Sequence, residues 1–284
     1  MKQDVILLDG AMGTGLWNRA EARGVAKVPV WIYNIEQPDM VIDLTREYIA
    51  AGSQIVQTNT FGANRPSVAR SSTYSVSEVV KSGVALAKEA VAGTNVRVAL
   101  SVGPLSEMME PFGDLTEEEV RDIYEEQIGA GAEAGADLIT LETFMDVEMM
   151  RVAATVAKRY GIHVLCSMTF DKRGRTMMGN TVARVVEELE PLGIDAIGMN
   201  CSLGPVEALG VIRSFAEETA LPLVFKPNAG LPVLRDDGTT VSDYDASRFV
   251  AEVLPALADG RVRYVGGCCG TDPDYIRALG EALL

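Results

Sequence analysis

Residues 116–141 read TEEEVRDIYEEQIGAGAEAGADLITL and hold one complete structural unit. Thr116 followed by Glu119 has the form of a capping box, which predicts that a helix begins there. The pair Ala134-Gly135 predicts the helix end, because glycine readily takes the left-handed conformation that closes a last turn. Residues 137–141 are short and mostly apolar, as expected of a strand buried in a sheet. The stretch therefore predicts a helix followed by a strand of an α/β fold.

The same unit recurs along the chain at intervals of about 35 residues. Apolar spacings of three and four predict a helix beginning at Pro38 and further helices at 76–91, 116–134, 146–160, 182–189, 205–219, 243–257 and 272–283. The predicted strands are 5–8, 54–58, 96–102, 137–141, 163–170, 196–200, 223–226 and 263–265. Eight such units in 284 residues predict a (β/α)8 TIM barrel, with one domain over residues 1–284. A doubly wound sheet is the alternative.

Composition argues against several classes of protein. The chain has 25 Lys and Arg residues against 40 Asp and Glu residues, a formal charge of −15. Nucleic acids and anionic membranes attract basic surfaces, so we predict that neither is a partner. No apolar run approaches the roughly 20 residues of a membrane span. The apolar run after Asp4 is too short for a signal peptide, and we therefore expect a cytoplasmic protein.

In a (β/α)8 barrel the active site lies at the C-terminal ends of the strands. Polar and glycine-rich stretches follow the predicted strands at 9–14, 58–62, 142–143, 200–201, 227–230 and 266–270. Three of the four cysteines, Cys201, Cys268 and Cys269, lie in these stretches. Cys166 lies within a predicted strand, where a core position is expected. The sole histidine, His163, begins a strand at the opposite end, and counting alone excludes histidine triads and multi-histidine metal sites.

The three cysteines at the strand ends predict a metal site. Thiolates are ligands that zinc prefers, and three of them leave a fourth position for water or substrate. Adjacent residues of a strand point to opposite faces, so Cys268 and Cys269 reach one ion only from a distorted backbone. The neighbouring Gly266, Gly267 and Gly270 permit that distortion. Two alternatives stay open, a strained disulfide between Cys268 and Cys269 and ordinary burial of the thiols.

A zinc ion with three thiolates is suited to binding one more thiol. Its net negative charge disfavours activation of a carbonyl. A free thiol with a pKa near 8.5 is only slightly ionised at pH 7, whereas a thiol on the metal is deprotonated. The electron-rich sulfur is a nucleophile for an electrophilic carbon, and so the predicted chemistry is alkylation of a thiol.

Six motifs in order along the chain carry a family resemblance. They are DGAMGT at 9–14, TNTFGAN at 58–64, LET at 141–143, NCS at 200–202, PNAG at 227–230 and GGCCG at 266–270. The sequence is similar to the homocysteine S-methyltransferase family, and most of all to the homocysteine-binding barrel of its cobalamin-dependent methionine synthase branch. The resemblance implies zinc-dependent transfer of a methyl group to homocysteine, giving methionine. It places the zinc on the catalytic candidates Cys201, Cys268 and Cys269, with an oxygen of Asn228 nearby when substrate is absent.

The resemblance also implies a set of substrate contacts. It places the ammonium of homocysteine on Glu142, and its carboxylate on the backbone N–H groups of the turn formed by Gly10, Ala11 and Met12. Asp9 and Asn59 are further candidates for substrate binding. The alternatives are that Asp9 caps its own turn, that Glu142 forms a salt bridge within the barrel, and that Asn59 and Asn228 are turn formers.

The methyl donor is less well defined by the sequence. The family's cobalamin-binding loop needs an Asp-x-His pattern, which the chain lacks, so methylcobalamin is expected only through a partner protein. We predict a separate methylcorrinoid protein as the donor. The first alternative is a small onium donor such as betaine or S-methylmethionine, with Trp17, Trp31 and Tyr33 as candidates for an aromatic cage. The others are a non-catalytic zinc or corrinoid-docking subunit, and a Schiff-base aldolase with Lys226 as nucleophile.

Overall fold

Eight parallel strands form a barrel in the computed structural model, which describes residues 5–230 and 244–284 and the backbone of Val233–Leu234 and Thr240–Val241. The barrel strands are β1 (Ile6–Leu7), β2 (Ile55–Gln57), β3 (Arg97–Val102), β4 (Leu138–Phe144), β5 (His163–Met168), β6 (Ala196–Asn200), β7 (Leu223–Lys226) and β10 (Val262–Val265). Their order is β1-β10-β7-β6-β5-β4-β3-β2, and a parallel bridge between Leu8 and Ile55 joins β2 to β1. The predicted (β/α)8 fold is confirmed. Strands β8 (Val233–Leu234) and β9 (Thr240–Val241) form a separate antiparallel pair.

The helices cover the outside of this barrel. They are α1 (Met12–Ala22), α2 (Tyr33–Glu36), α3 (Pro38–Ala50), α4 (Arg65–Ser71), α5 (Val76–Val91), α6 (Glu117–Glu133), α7 (Val147–Lys158), α8 (Val182–Leu189), α9 (Pro205–Glu218), α10 (Ala246–Val253) and α11 (Pro273–Leu283). The capping box predicted before α6 is present, because Thr116 and Glu119 each bond the other's backbone N–H. No helix in the described ranges has the length and apolar character needed to cross a bilayer.

Several predicted boundaries differ from the structure. The helix predicted over 243–257 ends as α10 at Val253 and continues as a 3-10 turn over Leu254–Leu257. Its predicted first residue, Asp243, lies outside the described residues, as do residues 1–4. Strand β4 extends to Phe144, beyond the predicted end at Leu141. Helix α1 was not predicted, because glycines at 13 and 15 made the stretch after Asp9 resemble a loop.

The barrel interior has an apolar lower layer and a polar upper layer. The lower layer takes one buried or partly buried side chain from each strand or its end: Leu8, Ile55, Ala99, Leu138, Leu165, Ala196, Val224 and Tyr264. Two residues further along several strands, on the same face, stand polar side chains: Gln57, Ser101, Thr140, Ser167 and Lys226. A second, larger hydrophobic cluster lies between the barrel and the helices. Polar groups are thus concentrated beneath the C-terminal ends of the strands.

Gly198 on β6 provides a test of packing inside the barrel. A Cβ atom there would collide with the backbone carbonyl of Val224 on the neighbouring β7. We expect Gly198→Ala to lower the free energy of unfolding by about 1–3 kcal/mol or more, because backbone cannot move aside without breaking the sheet. Urea denaturation followed by circular dichroism measures the change.

Gly210 is the matched control. It lies in α9, and a Cβ there meets nothing within 4 Å. Gly210→Ala should therefore raise the free energy of unfolding by up to about 1 kcal/mol through helix propensity. Equal stability of the two variants would contradict the close contact at Gly198.

Candidate functional site

Strand β7 aligns the cysteines on either side of it. The N–H of Cys201, directly after β6, donates to the carbonyl of Lys226 at 3.0 Å, and the N–H of Cys268, after β10, donates to the carbonyl of Pro227 at 2.9 Å. The Sγ atoms of Cys201, Cys268 and Cys269 all lie within 4.8 Å of one another, with 3.6 Å between those of Cys201 and Cys269. Zinc–thiolate bonds of about 2.3 Å in a tetrahedron separate two sulfurs by about 3.8 Å. Both the donor atoms and their spacing therefore suit Zn²⁺.

The alternative readings of these cysteines do not match the geometry. The described cysteines are all free thiols, so no disulfide joins Cys268 to Cys269. Cys269 is exposed, and Cys201 and Cys268 are only partly buried, which differs from the behaviour of ordinary core cysteines. Cys166 does behave in that way, because it is fully buried in the hydrophobic core, as predicted.

A turn after β10 allows two adjacent cysteines to approach one point. The N–H of Thr271 donates to the carbonyl of Cys268 at 3.1 Å, and Gly270 at the third position of this turn has a φ of 82°. That left-handed conformation favours glycine. Gly266 and Gly267 contribute differently from the prediction, because they allow close packing rather than a distorted backbone. A Cβ on Gly266 would lie 2.7 Å from the carbonyl oxygen of Asp9.

The backbone is also left-handed on the opposite side of the cluster. Cys201 and Ser202 have φ values of 60° and 63°, which are uncommon for residues other than glycine. Such residues cost of order 1–3 kcal/mol each and persist where surrounding bonds hold them. Here the N–H of Leu203 donates to the carbonyl of Cys201 at 2.7 Å, closing a tight turn. The turn directs the Cys201 thiol towards those of the β10 loop.

Asn200 connects the cysteine cluster to the end of β4, a role that sequence reasoning missed. Its Nδ2 donates to the Oγ1 of Thr143 at 2.7 Å and lies 3.7 Å from the Sγ of Cys268. Its Oδ1 accepts from the backbone N–H of Thr143 at 2.7 Å and from the Oγ of Ser167 at 2.9 Å. Thr143 is itself left-handed, with a φ of 65°. One buried amide therefore fixes the end of β4 relative to the cysteine cluster, and the upper end of the barrel between them is called the pocket below.

Asn228 places an unpaired oxygen beside the cluster. Its side chain forms a hydrogen bond with the Cys201 thiol. Its Oδ1 is buried, and no described residue donates a hydrogen bond to it. A buried carbonyl oxygen without a donor is costly unless a cation or water meets it. This atom thus fits an oxygen close to a metal, although its assignment as a metal neighbour stays a prediction.

The three thiols titrate as a coupled group. Hydrogen bonds from Cys268 and Cys269 hold the pKa of Cys201 below its usual range. The hydrogen bond to the Cys201 sulfur raises the pKa of Cys268, and the same cause raises that of Cys269. At neutral pH the cluster without a cation therefore carries one thiolate and two thiols. A divalent cation would relieve the repulsion that prevents the other two from ionising.

Glu142 lies across the barrel at the end of β4. It is 9% exposed, and its Oε1 accepts from the Nε2 of Gln57 at 2.6 Å and from the Oγ of Ser101 at 2.5 Å. Within the described part of the chain no hydrogen bond reaches its second oxygen, and no Lys or Arg forms an ion pair with it. The salt-bridge alternative is therefore not realised here, and one carboxylate oxygen remains for a ligand.

Asp9 and Lys226 form a buried ion pair beneath the pocket. The Lys226 Nζ lies 3.1 Å from the Oδ1 of Asp9, and the Oδ2 of Asp9 accepts from the backbone N–H of Gln57 at 2.6 Å. Burial opposes the charge of Lys226, but Asp9 and Glu142 outweigh this and raise its pKa. A protonated, enclosed amine is a poor nucleophile, which argues against the aldolase alternative. Asp9 is fully enclosed, and its role as a substrate ligand stays a prediction.

The turn after β1 presents free backbone donors. Within the described residues no acceptor meets the N–H groups of Gly10, Ala11 and Met12. Ala11 is the N-cap residue of α1, its side chain caps nothing, and the first turn of the helix carries no acidic residue. Unpaired N–H groups at a helix N-terminus favour an anion through both hydrogen bonding and the helix dipole. The turn can thus receive a carboxylate.

Asn59 and two of the three aromatic candidates lie in the protein interior, whereas the third, Trp17, is exposed. The Nδ2 of Asn59 donates to the carbonyl of Val30 at 2.7 Å and to the Oδ1 of Asn34 at 2.9 Å. Substrate binding by Asn59 stays a prediction, and its amide N–H groups are already used. Trp31 and Tyr33 belong to the hydrophobic core, where Tyr33 is 0% exposed. These two rings therefore expose no face to which an onium ligand could bind.

Comparison with known proteins identifies the family. The homocysteine S-methyltransferase family model matches residues 6–283. The chain belongs to the homocysteine S-methyltransferase family. Methionine synthases of Mycobacterium leprae and Mycobacterium tuberculosis are each 31% identical to it over 304 aligned positions, which include the whole chain. The chain spans about a quarter of the length of these curated relatives, 24% and 25% respectively.

Solved structures of this family have the same fold. The apo form of the homocysteine methyltransferase MmuM from Escherichia coli is 27% identical, with a TM-score of 0.76, and the match covers 100% of this chain and 97% of MmuM. The metallated form of MmuM gives 26% identity and a TM-score of 0.81 over 99% of this chain. The family model and these structures thus agree on the fold of this chain.

Replacing one cysteine of the cluster tests the metal site. We expect Cys268→Ala to reduce zinc bound per chain from about one to near zero, because two thiolates form an incomplete site. Cys166→Ala is the matched control, since it removes a thiol from the core and should leave zinc content unchanged. Elemental analysis of reduced, dialysed protein measures both. Full zinc content in Cys268→Ala would exclude the cluster as the site.

Metal binding should also release protons. Because the pKa values of Cys268 and Cys269 lie above the usual range, both thiols are protonated at neutral pH and must ionise on binding. We expect release of about two protons per zinc ion, with an affinity that rises as pH increases through the neutral range. Calorimetric titrations in buffers of different ionisation enthalpy measure the number. A buffer-independent heat would show that the cluster does not titrate in this way.

Proposed function

We propose that this chain transfers a methyl group to the thiol of homocysteine, giving methionine, with Zn²⁺ bound by Cys201, Cys268 and Cys269. The observation that best supports this is the convergence of three sulfur atoms, from two separate strand ends, within 4.8 Å of one another. We extend the proposal to residues 1–284 as one homocysteine-binding barrel. A reducing compartment such as the cytoplasm would keep these thiols free.

Three features of the pocket complement the three functional groups of homocysteine. The free oxygen of Glu142 suits the α-ammonium, and a charge-assisted bond is stronger where water is scarce. The N–H groups of Gly10, Ala11 and Met12 suit the carboxylate. The cysteine cluster, once it holds zinc, suits the thiol. Asn200 contacts both Thr143, next to Glu142, and Cys268, so it fixes the ammonium and thiol sites relative to each other.

The reaction requires a sulfur nucleophile at neutral pH. Zinc in the cluster would bind the substrate sulfur and favour its thiolate form, as metals do for coordinated thiols. The residues of this chain orient the substrate, because Glu142 and the α1 turn hold the two charged groups of its amino acid end. The sulfur–carbon bond then forms as the bond between methyl group and donor breaks, and the proton of the thiol leaves to solvent.

The methyl donor that we propose is a separate methylcorrinoid protein. A protein donor needs a docking surface around the mouth of the barrel. Five of the exposed large hydrophobic side chains follow the C-terminal ends of strands: Phe61, Met108, Phe112, Met177 and Val206. Exposed apolar groups concentrated on one face are typical of an interaction site, whereas isolated ones are not. The surface thus supports a macromolecular donor.

A donor panel tests the function and separates the alternatives. Zinc-loaded protein is incubated with homocysteine and either a methylated corrinoid protein, betaine or S-methylmethionine, and methionine is measured. We expect turnover with the corrinoid protein and little with the onium compounds, because Trp31 and Tyr33 are buried and Trp17 alone does not form a cage. Turnover with an onium donor alone would replace the donor assignment. Methionine from no donor, despite bound zinc, would favour a non-catalytic binding subunit.

A further inference from the structure

The polar upper layer of the barrel contains one buried cation. Of the charged side chains in the described residues, Asp9, Glu142 and Lys226 are buried, and Lys226 alone is positive. The side chain of Lys226 is 4% exposed and that of Asp9 is 0% exposed. Neither charge can be solvated by bulk water, and burying such a pair is costly unless its remaining hydrogen bonds are satisfied. If the pair had only a structural role, two apolar residues would stabilise the fold as well or better.

The second contact of Lys226 is with the side chain of Gln57. Its Nζ donates to the Oε1 of Gln57, and the Nε2 at the other end of that amide donates to the Oε1 of Glu142 at 2.6 Å and to the Oγ1 of Thr140 at 2.9 Å. The single side chain of Gln57 therefore connects Lys226 to Glu142. Sequence reasoning did not predict this link, because it did not follow which strand residues point into the barrel.

We propose that Lys226 is a positioning residue which acts through Gln57 to hold the Glu142 carboxylate for the ammonium of the substrate. The proposal rests on the function proposed above. An ammonium group only donates hydrogen bonds, so it must face the oxygen of the Gln57 amide. The amide is thereby prevented from turning over, and its N–H groups must face Glu142. Asp9 strengthens this arrangement, because it accepts from the backbone N–H of Gln57 while it neutralises Lys226.

Lys226 also balances the negative charge of this buried layer. Asp9 and Glu142 are two carboxylates in the same buried layer, and Lys226 is the cation that faces them. Lys226 is paired with Asp9, so the charge of Glu142 stays available to a ligand. Without the cation, Gln57 could present its oxygen to Glu142, and two acceptors would then repel each other. The carboxylate would move away from its position facing the pocket.

The test compares two ligands that differ by a single group. Homocysteine and 4-mercaptobutanoate share the thiol and the carboxylate, and only homocysteine has the ammonium. Calorimetric titration of zinc-loaded protein measures both dissociation constants without a methyl donor. In Lys226→Met we expect the affinity for homocysteine to fall by about tenfold or more, as for a hydrogen bond to a charged group, and that for the analogue to change by less than about threefold.

Two further variants keep the result interpretable. Gln57→Met leaves the ion pair in place but removes the amide, and it should cause the same selective loss even if Lys226→Met folds poorly. Lys158→Met is the matched control, since it breaks the Lys158–Asp195 ion pair away from the pocket and should change neither constant. Equal loss of affinity for both ligands, or no loss for either, in Lys226→Met and Gln57→Met would overturn the positioning role. Failure of the unmodified protein to prefer homocysteine would instead remove the proposed role of Glu142, and that of Lys226 with it.

Discussion

The pairing of β7 with its two neighbours is the constraint on which the site depends. Carbonyl groups at its end receive the N–H groups of Cys201 from one side and of Cys268 from the other. Cys201 and Cys268 are far apart in the chain, but these bonds hold them close enough to bind one ion. The left-handed backbone at Cys201 and the turn at Gly270 add the final adjustments. A parallel sheet with fixed register is rigid, and so the sulfur atoms need little rearrangement to receive a cation.

The two-layered interior explains how a closed barrel supports polar chemistry. Its lower layer is apolar and supplies the burial that stabilises the fold. Its upper layer joins Asp9, Lys226, Gln57, Glu142 and Ser101 by hydrogen bonds, and one oxygen of Glu142 is left for a ligand. Such networks are worthwhile when they are fully satisfied, because they then specify one arrangement of side chains. The ligand-binding groups stand directly on this layer.

Much of this architecture could be predicted from the sequence. Strands β6 and β7 fall where the apolar runs placed them, and the cysteines lie together because all strand ends share one face. Sequence reasoning stopped at the residues that follow each strand. It therefore missed Gln57 and Ser101, and it considered Lys226 only as an aldolase nucleophile, although all three lie within strands and point inward. Alternation would have revealed them, since each stands two positions after an apolar residue of the lower layer. The left-handed conformations of Thr143 and Cys201 carried no such signal, because neither residue is glycine.

The enclosed ion pair has a consequence for how this sequence can diverge. Loss of either Lys226 or Asp9 alone leaves a charge without water or counterion, which typically costs several kcal/mol, whereas loss of both is tolerated far better. The two positions are therefore epistatic, although more than two hundred residues separate them along the chain. Relatives that lack the lysine are expected to carry a compensating change at the end of β1 or at the glutamine between them. Covariation of these three positions among relatives would then reveal this buried contact from sequences alone.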